Sequence, residues 1–411
     1  MSDKVRTRLM QELQKHNIDA YLAYTPSNLF YTTGFLSPVV ALSWRLMGTD
    51  LCLIPADPAR PPALITSDFV ETPARASTDI EDIRTYKMWV ENRDVDILGN
   101  STTSANLSRP PQWDQAEIHT ALRDILGERN LDHATIGTDL RYVQHQTIEL
   151  LKETNPQCKF VDVTDMLYQL RAIKQPHEIE TLRKAARLYE AGQNQAIANV
   201  HEGQTALDIK YNYMDGALQA AKADLSLGDF QGAFGFISGG SGARLSFGGT
   251  SGLSSGDLIK FDCGVTLDGY YSDCGRTFSF GKPTDIQKKM HHALQSAHLR
   301  ARELMRPGVG LSEIFRVATE EIRSHGFPNY SRGHYGHSIG LDSFVEEPPF
   351  ISAEEKSILQ PGMVICLETP YYADSVGSFQ IEDMILITSE GCELFNSSGY
   401  DLLEISPLGK S

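Results

Sequence analysis

Residues Leu258 to Gly281 read LIKFDCGVTLDGYYSDCGRTFSFG, two runs of strand formers joined at Asp268-Gly269. An Asp-Gly pair between such runs is the strongest short-range signal for a hairpin with a two-residue turn. The turn fixes the register: Leu267 faces Tyr270, Asp262 falls opposite Gly275, and Asp273 falls opposite Gly264. Asp262 and Asp273 then lie diagonally on one face, about 7–8 Å apart at the backbone and closer at the side chains. Carboxylates that close repel unless a proton or a cation lies between them. The hairpin is therefore read as part of a metal site. The competing reading, a solvent-facing hairpin with ordinary surface aspartates, is weighed against the rest of the chain.

At 411 residues and 41% apolar, the chain is long enough for two domains with cores of their own. A formal charge of −16 opposes binding to nucleic acid or to an anionic membrane. No apolar run is long enough to span a bilayer. The N-terminal MSDKVRTRLMQELQKHN is a charged amphipathic helix pattern without the apolar segment of a signal peptide, so a cytoplasmic protein is expected. Six cysteines (Cys52, Cys158, Cys263, Cys274, Cys366, Cys392) lack zinc-type spacing and read as reduced, buried thiols. Cys263 and Cys274 each adjoin one of the aspartates and so point to the opposite face, into the core.

In the first half, Ala20–Tyr24, Leu51–Pro55, Pro62–Ile65 and Ala134–Thr138 read as short buried strands, alternating with helical stretches such as Ala116–Leu126. That alternation suggests an α/β layer domain. Met88 to Trp113 is a polar, aperiodic stretch with Pro110-Pro111, read as a functional loop anchored by Trp89 and Trp113. His16, His119, His133 and His145 are isolated and read as surface or core residues. Around Val161 to Pro176 the character changes. Pro176 suits a first helical turn, with Glu178 and Glu180 near the positive end of the helix dipole. Ile179, Leu182, Ala186 and Tyr189 follow at helical spacing, and Gly203 closes the run. Further helices are expected at Ala206–Ala223, Asp285–Met305 and Leu311–Gly326. Ile237–Asp257 is rich in glycine and serine but lacks the Gly-Lys-Ser/Thr ending of a phosphate loop, and reads as turns leading into the hairpin.

Three later pieces carry chemistry. Ser331–Phe350 holds His334 and His337 among glycines; GMVICLETPYY delivers Glu368 at the end of an apolar strand; FQIEDMILITSEG places Glu382, Met384 and Leu386 on one side of another. A glutamate inside such an apolar run is costly to bury without a partner, and no arginine lies near Glu368 in sequence. Two such glutamates, two aspartates and one or two histidines form an oxygen and nitrogen set suited to a pair of divalent first-row ions: Mn, Co, Zn or Fe.

Asp262, Asp273, His337, Glu368 and Glu382, with Gly336-His337-Ser338-Ile339-Gly340 and Ile381-Glu382-Asp383, resemble the pita-bread metalloenzymes. These include prolidase, aminopeptidase P, methionine aminopeptidase and creatinase. Tyr31-Thr32-Thr33-Gly34-Phe35 looks like the creatinase-type N-terminal domain, and Arg171-Ala172-Ile173-Lys174 like the usual entry into the catalytic domain. The resemblance implies an α+β protein: a creatinase-type α/β domain over residues 1–165, then a pita-bread catalytic domain over 166–411. It further implies that Asp262 binds one ion through both oxygens, that Asp273 and Glu382 bridge two ions, and that His337 and Glu368 bind the second. A bridging water becomes the nucleophile, with Glu368 as proton acceptor. A homodimer is also implied, with the Met88–Trp113 loop as candidate contact.

The chain departs from the proline-directed peptidases. Ser246 in Arg244-Leu245-Ser246-Phe247 stands where they carry a histidine, and Asp342-Ser343-Phe344-Val345-Glu346-Glu347-Pro348 lacks another. Gln380 stands where many carry arginine, although methionine aminopeptidases resemble the chain there. His334 offers either an acid or a packing residue. The first function expected is a metal-dependent hydrolase cleaving the C–N bond of an Xaa-Pro peptide or small amide. The alternative is a metal-dependent lyase on an osmolyte-like compound, resembling the dimethylsulfoniopropionate lyases, with Asp342 as base; Asp342 reads equally as a turn residue. A metal-free binding module, the third possibility, fits five retained ligands least.

Overall fold

A computed structural model describes residues 2–38, 50–88, 115–239, 251–342, 346–373 and 375–406. The expected Met88–Trp113 loop (beyond Met88 itself), Ser246, and the Ser343–Val345 segment lie outside the described residues. The chain divides into two compact units, Met1–Leu170 and Arg171–Ser411.

The first unit is a mixed sheet of six strands in the order β4-β3-β2-β1-β5-β6. They are β1 (Ala20–Ala23), β2 (Leu51–Pro55), β3 (Ala63–Ser67), β4 (Asp82–Tyr86), β5 (Thr135–Thr138) and β6 (Lys159–Asp162). The inner strands β1, β2 and β3 are buried at every position, as their apolar runs predict. The two strands that patterning missed, β4 and β6, are the sheet edges. Their charged residues suit an edge and hide the strand from a search for apolar runs. Helix Pro26–Thr33 ends at Gly34, whose φ of 74° makes it the left-handed cap, with its N–H donating to the Phe30 carbonyl. His119 is buried, while His16, His133 and His145 are exposed.

The second unit is built on an eleven-stranded sheet whose main path runs β10-β9-β11-β17-β14-β12-β13. Its strands β9 (Asp257–Leu267), β10 (Tyr270–Tyr271) and β11 (Cys274–Phe280) form the expected hairpin. Leu267 pairs with Tyr270 and Asp262 with Gly275. The turn residues Asp268 and Gly269 have φ of 48° and 81°, the left-handed pair that this turn requires. The remaining strands of the path are β12 (His334–Ser338), β13 (Glu347–Ser352), β14 (Val364–Glu368) and β17 (Glu382–Ile387); off it, β7 (Phe230–Gly235) and β8 (Ser238–Gly239) pair with β9, β18 (Cys392–Leu394) with β17 and β19 (Glu404–Ile405) with β11, while β15 (Tyr371–Ala373) and β16 (Gly377–Phe379) pair with each other.

Two helix pairs cover the sheet. Helices Pro176–Ala198 and Ala206–Ala223 pack Ala185, Leu188, Ala217 and Ala221 against Val265 and Leu267 of β9. Helices Asp285–Leu304 and Leu311–Ser324 share a larger core with Ile365 and Leu367 of β14 and Ile385 and Ile387 of β17. The first helix ends at Ala198 with Asn199 as its cap; Gly203 (φ 80°) lies in the following turn and does not close it. Glu178 also differs from a plain dipole partner. It is buried, accepting from the Gln175 backbone N–H at 2.7 Å and the Tyr270 hydroxyl at 3.2 Å.

Because successive side chains on a strand alternate faces, residues that do not face the helices face away together. On β17, Asp383 faces the helix side and is fully buried. It accepts from Arg276 at 2.6 Å, His298 at 2.8 Å, Tyr400 at 2.6 Å, and from Asn396. Burial opposes its ionisation, but Arg276, with His298 and Tyr400, holds it well below the usual carboxylate range. Removing the arginine leaves the buried carboxylate without its charged partner, so Arg276→Met should cost roughly 3–5 kcal/mol, read by urea unfolding.

The Arg171–Lys174 stretch also takes buried partners. Arg171 pairs with Asp342 at 2.9 Å and with Glu347, and the Lys174 ammonium donates to Ser338 Oγ at 2.7 Å. Burial lowers Lys174 from 10.5 to about 8, against the opposing pull of Glu347 and Glu178. Its contribution to stability is therefore complete above pH 10.5 and is lost as pH falls to about 8. The unfolding free energy of the wild type relative to Lys174→Met should rise across that window; a flat difference would contradict the assignment.

Candidate metal centre

Lateral pairing lines up one row across four strands. Asp262 pairs with Gly275, Gly275 with Glu382, and Glu382 with Glu368. Paired residues share a face, so three carboxylates stand in line with a glycine where the fourth side chain would be. Gly275 leaves room for a clasp: a Cβ there would lie 2.1 Å from Gln380 Cγ. The Gln380 amide donates to Glu368 Oε2 and to Glu382 Oε2, each at 3.0 Å. Its backbone N–H is held by Thr277 Oγ1 at 2.7 Å.

Asp273 joins this row from the hairpin. Ligand atoms of Asp262, Asp273 and Glu382 lie within 4.8 Å of one another, as do those of His337, Cys366 and Glu382. His337 Nε2 is 3.8 Å from Glu382 Oε1 and 3.9 Å from Asp273 Oδ2. Its Nδ1–H donates to the Ser338 carbonyl at 2.8 Å, which turns the Nε2 lone pair toward the carboxylates.

Gly336 explains how both histidines reach this side. On a regular strand His337 would share the face of Tyr335, which packs in the helix core. Gly336 has φ of 137°, and a Cβ there would lie 1.9 Å from the Cys366 carbonyl oxygen. The β12–β13 register shifts on both sides of His337. The alternation is reset, and the rings of His334 and His337 end 6.4 Å apart. His334 Nδ1 lies 3.3 Å from Glu368 Oε1.

Two cations that sequence reasoning missed stand among the acids. Arg332 Nη2 donates to Glu368 Oε1 at 2.6 Å, and Lys260 Nζ lies 3.0 Å from Asp262 Oδ2. Arg332 is distant from Glu368 in sequence and left no local signal. Lys260 was visible as a lysine two positions from an inward aspartate, on its face of the strand. Cys366 is a third addition. Burial and then Glu382 push its thiol well up, so it stays protonated and donates toward the Asp273 carbonyl at 3.6 Å. Asp342, the other candidate base, is engaged by Arg171 and is not among the converging groups.

The electrostatics fit a bound cation. Asp273 is 7% exposed and Glu382 1%. Burial, then neighbouring carboxylates, raise both well above the usual range. Burial also pushes Glu368 up, but Arg332, His334, His337 and Gln380 together hold it below its ordinary value. Among the described residues, Asp273 Oδ1 is buried without a hydrogen-bond partner. An orphaned acceptor facing further carboxylates is what a divalent ion would satisfy. Asp262, Asp273, His337, Glu368 and Glu382 are the residues that could hold it. Gln380→Leu removes the clasp while keeping the volume, and should weaken Mn²⁺ binding roughly 10–100-fold by calorimetry, with the fold intact.

Comparisons with known proteins identify the family and the fold. The profile of metallopeptidase family M24 matches residues 180–389, and that of the creatinase/prolidase N-terminal domain matches residues 6–173. An Xaa-Pro dipeptidase of Pyrococcus furiosus is 30% identical over 268 residues, covering 64% of this chain and 73% of that protein. An uncharacterised peptidase of Staphylococcus aureus is 26% identical over 391 residues, covering 94% and 97%. Among solved structures, an Xaa-Pro dipeptidase from Bacillus anthracis superposes with a TM-score of 0.80 at 21% identity, over 98% of this chain and all of that one. An X-Pro aminopeptidase from Thermotoga maritima gives 0.77 at 22% identity, over 97% and 99%. The two profiles and the dipeptidase relative make the chain a member of metallopeptidase family M24, the pita-bread superfamily, and a metal-dependent hydrolase of peptidase type.

Proposed function

We propose that the chain hydrolyses a C–N bond in a small substrate, an Xaa-Pro peptide or related amide, at a centre formed by Asp262, Asp273, His337, Glu368 and Glu382. The observation that carries this reading is the orphaned Asp273 Oδ1 beside the Asp262–Gly275–Glu382–Glu368 row. The set is large enough that it would hold two divalent ions of the Mn, Co, Zn or Fe type, to both of which Asp273 and Glu382 would contribute. When bound, such ions supply Lewis acidity to the scissile carbonyl and make an attacking water acidic at neutral pH.

The chain's own residues do the rest. Glu368 takes the proton from the attacking water and passes it to the leaving nitrogen. Arg332 keeps Glu368 ionised, the form an acceptor needs, while lowering its basicity. His334, partly exposed beside Glu368, orients that carboxylate. His337 is fixed in one tautomer by Ser338. The lyase alternative needs Asp342 as a base; Asp342 pairs with Arg171 outside the row of carboxylates, whereas Glu368 stands in that row beside Glu382, which favours hydrolysis. Within the same reading the working form is a homodimer, as light scattering would report.

The test loads purified protein with Mn, Co, Zn or Fe and offers Xaa-Pro dipeptides, longer peptides with proline second, N-acyl amino acids and dimethylsulfoniopropionate. Turnover of a peptide or amide is expected, falling to background in Asp273→Asn and Glu382→Gln and after chelation. Full activity in either variant would sink the reading, and acrylate release would favour the lyase.

A further inference from the structure

Two adjacent glutamates at the start of β13 differ in what they hold, and only one is accounted for. Glu347 is 1% exposed; it pairs with Arg171 and accepts from the Leu341 and Asp342 backbone N–H groups at 2.6 and 2.9 Å. Glu346 keeps 35% of its side chain open to solvent, and no hydrogen bond joins it to another described residue. The basic group beside it is His334 Nε2, at 4.0 Å, beyond hydrogen-bond reach.

That imidazole locates Glu346 with respect to the centre. Its other nitrogen, Nδ1, lies 3.3 Å from Glu368 Oε1, so a single ring separates Glu346 from the proposed proton acceptor. The Phe350 ring meets the same imidazole, with 5.6 Å between the ring centres. Burial, then the charges of Asp262, Glu368 and Glu346, raise Asp273, so the charge of Glu346 is felt inside the centre. The cations nearby are committed elsewhere, Arg332 to Glu368 and Lys260 to Asp262. A carboxylate in such company attracts a cation and repels a further anion, and it is not one of the five candidate ligands.

We propose that Glu346 is a specificity-determining residue that holds a protonated amine of the substrate, within a few bonds of the scissile C–N bond. By the same charge it opposes a free carboxylate placed there. The substrate class then narrows from Xaa-Pro peptides and amides in general to cationic amides whose carboxylate is blocked or absent. This rests on the reading of the centre as the place where substrate is bound and cleaved. It concerns which substrates are accepted, a choice that the five ligands leave open.

Three probes separate the charges: glycyl-prolinamide carries an ammonium and no carboxylate, glycyl-proline carries both, and N-acetyl-glycyl-prolinamide carries neither. Full-length protein loaded with Mn²⁺ is assayed with each, as wild type, Glu346→Gln and Glu346→Lys. The wild type should favour glycyl-prolinamide over each of the others by roughly tenfold or more in kcat/KM, mostly through KM. Glu346→Gln should shrink both ratios by roughly that factor, and Glu346→Lys should put glycyl-proline ahead of glycyl-prolinamide. A glutamate that merely props its strand would lower turnover of all three alike and leave the ratios as they are. Unchanged ratios in a folded Glu346→Gln overturn the proposal. So does a wild type that takes glycyl-proline as well as glycyl-prolinamide, even if neither variant folds. Should no probe be hydrolysed, the hydrolytic reading falls, and calorimetry with the same proteins still decides the role of Glu346. The same ranking of affinities upholds it, and equal affinities overturn it.

Discussion

Mutual repulsion among buried carboxylates is the constraint around which the second unit is arranged. Asp262, Asp273, Glu368 and Glu382 converge on one face of a sheet, with three of them on laterally paired positions. Nothing in strand pairing favours this; like charges directly opposite destabilise a sheet. The arrangement persists because rigid elements hold the acids in place while other groups moderate their charge. Gln380 spans two of them, Arg332 and Lys260 take one each, and Asp273 keeps an acceptor that no group among the described residues satisfies. Acids held together before a cation arrives are preorganised for it, the condition for strong electrostatic catalysis.

The opposite face of the same strands supplies the rigidity. Residue 382 faces the acids and residue 383 faces the helices, so the register of β17 is fixed by a buried network next door to the ligand it presents. Apolar neighbours do the same for β14, where Ile365 and Leu367 enter the helix core and Glu368 ends the strand. Two glycines act where a side chain would obstruct. Gly275 vacates the space that Gln380 fills, and Gly336 turns β12 so that two histidines can share a side with the acids.

How far the sequence could be read follows from these particulars. The hairpin register was legible because Asp-Gly specifies a turn with no freedom to slip. The pairing of Glu368 with Glu382 was not, since nothing local encodes which strands become neighbours. The edge strands β4 and β6 were hidden by charges that suit an edge. Period-two counting gives no warning of a conformational break at Gly336. Arg332, and the bridging role of Gln380, escaped for a related reason: each becomes meaningful only once a carboxylate distant in the fold or the chain is placed beside it. Lys260 stood in plain view between two apolar residues, and only its burial distinguishes it from a surface lysine.

The network behind Asp383 and the lysine beneath Ser338 also bear on where this unit can be cut. The stretch matched by the metallopeptidase profile, residues 180–389, contains all five candidate ligands. It omits Lys174, which bonds Ser338 from 164 positions away, and it omits Asn396 and Tyr400, which hold Asp383. A fragment trimmed to that matched span would carry every donor atom yet lose the outlying braces of two strands, so the smallest autonomous catalytic piece is larger than the recognisable motif.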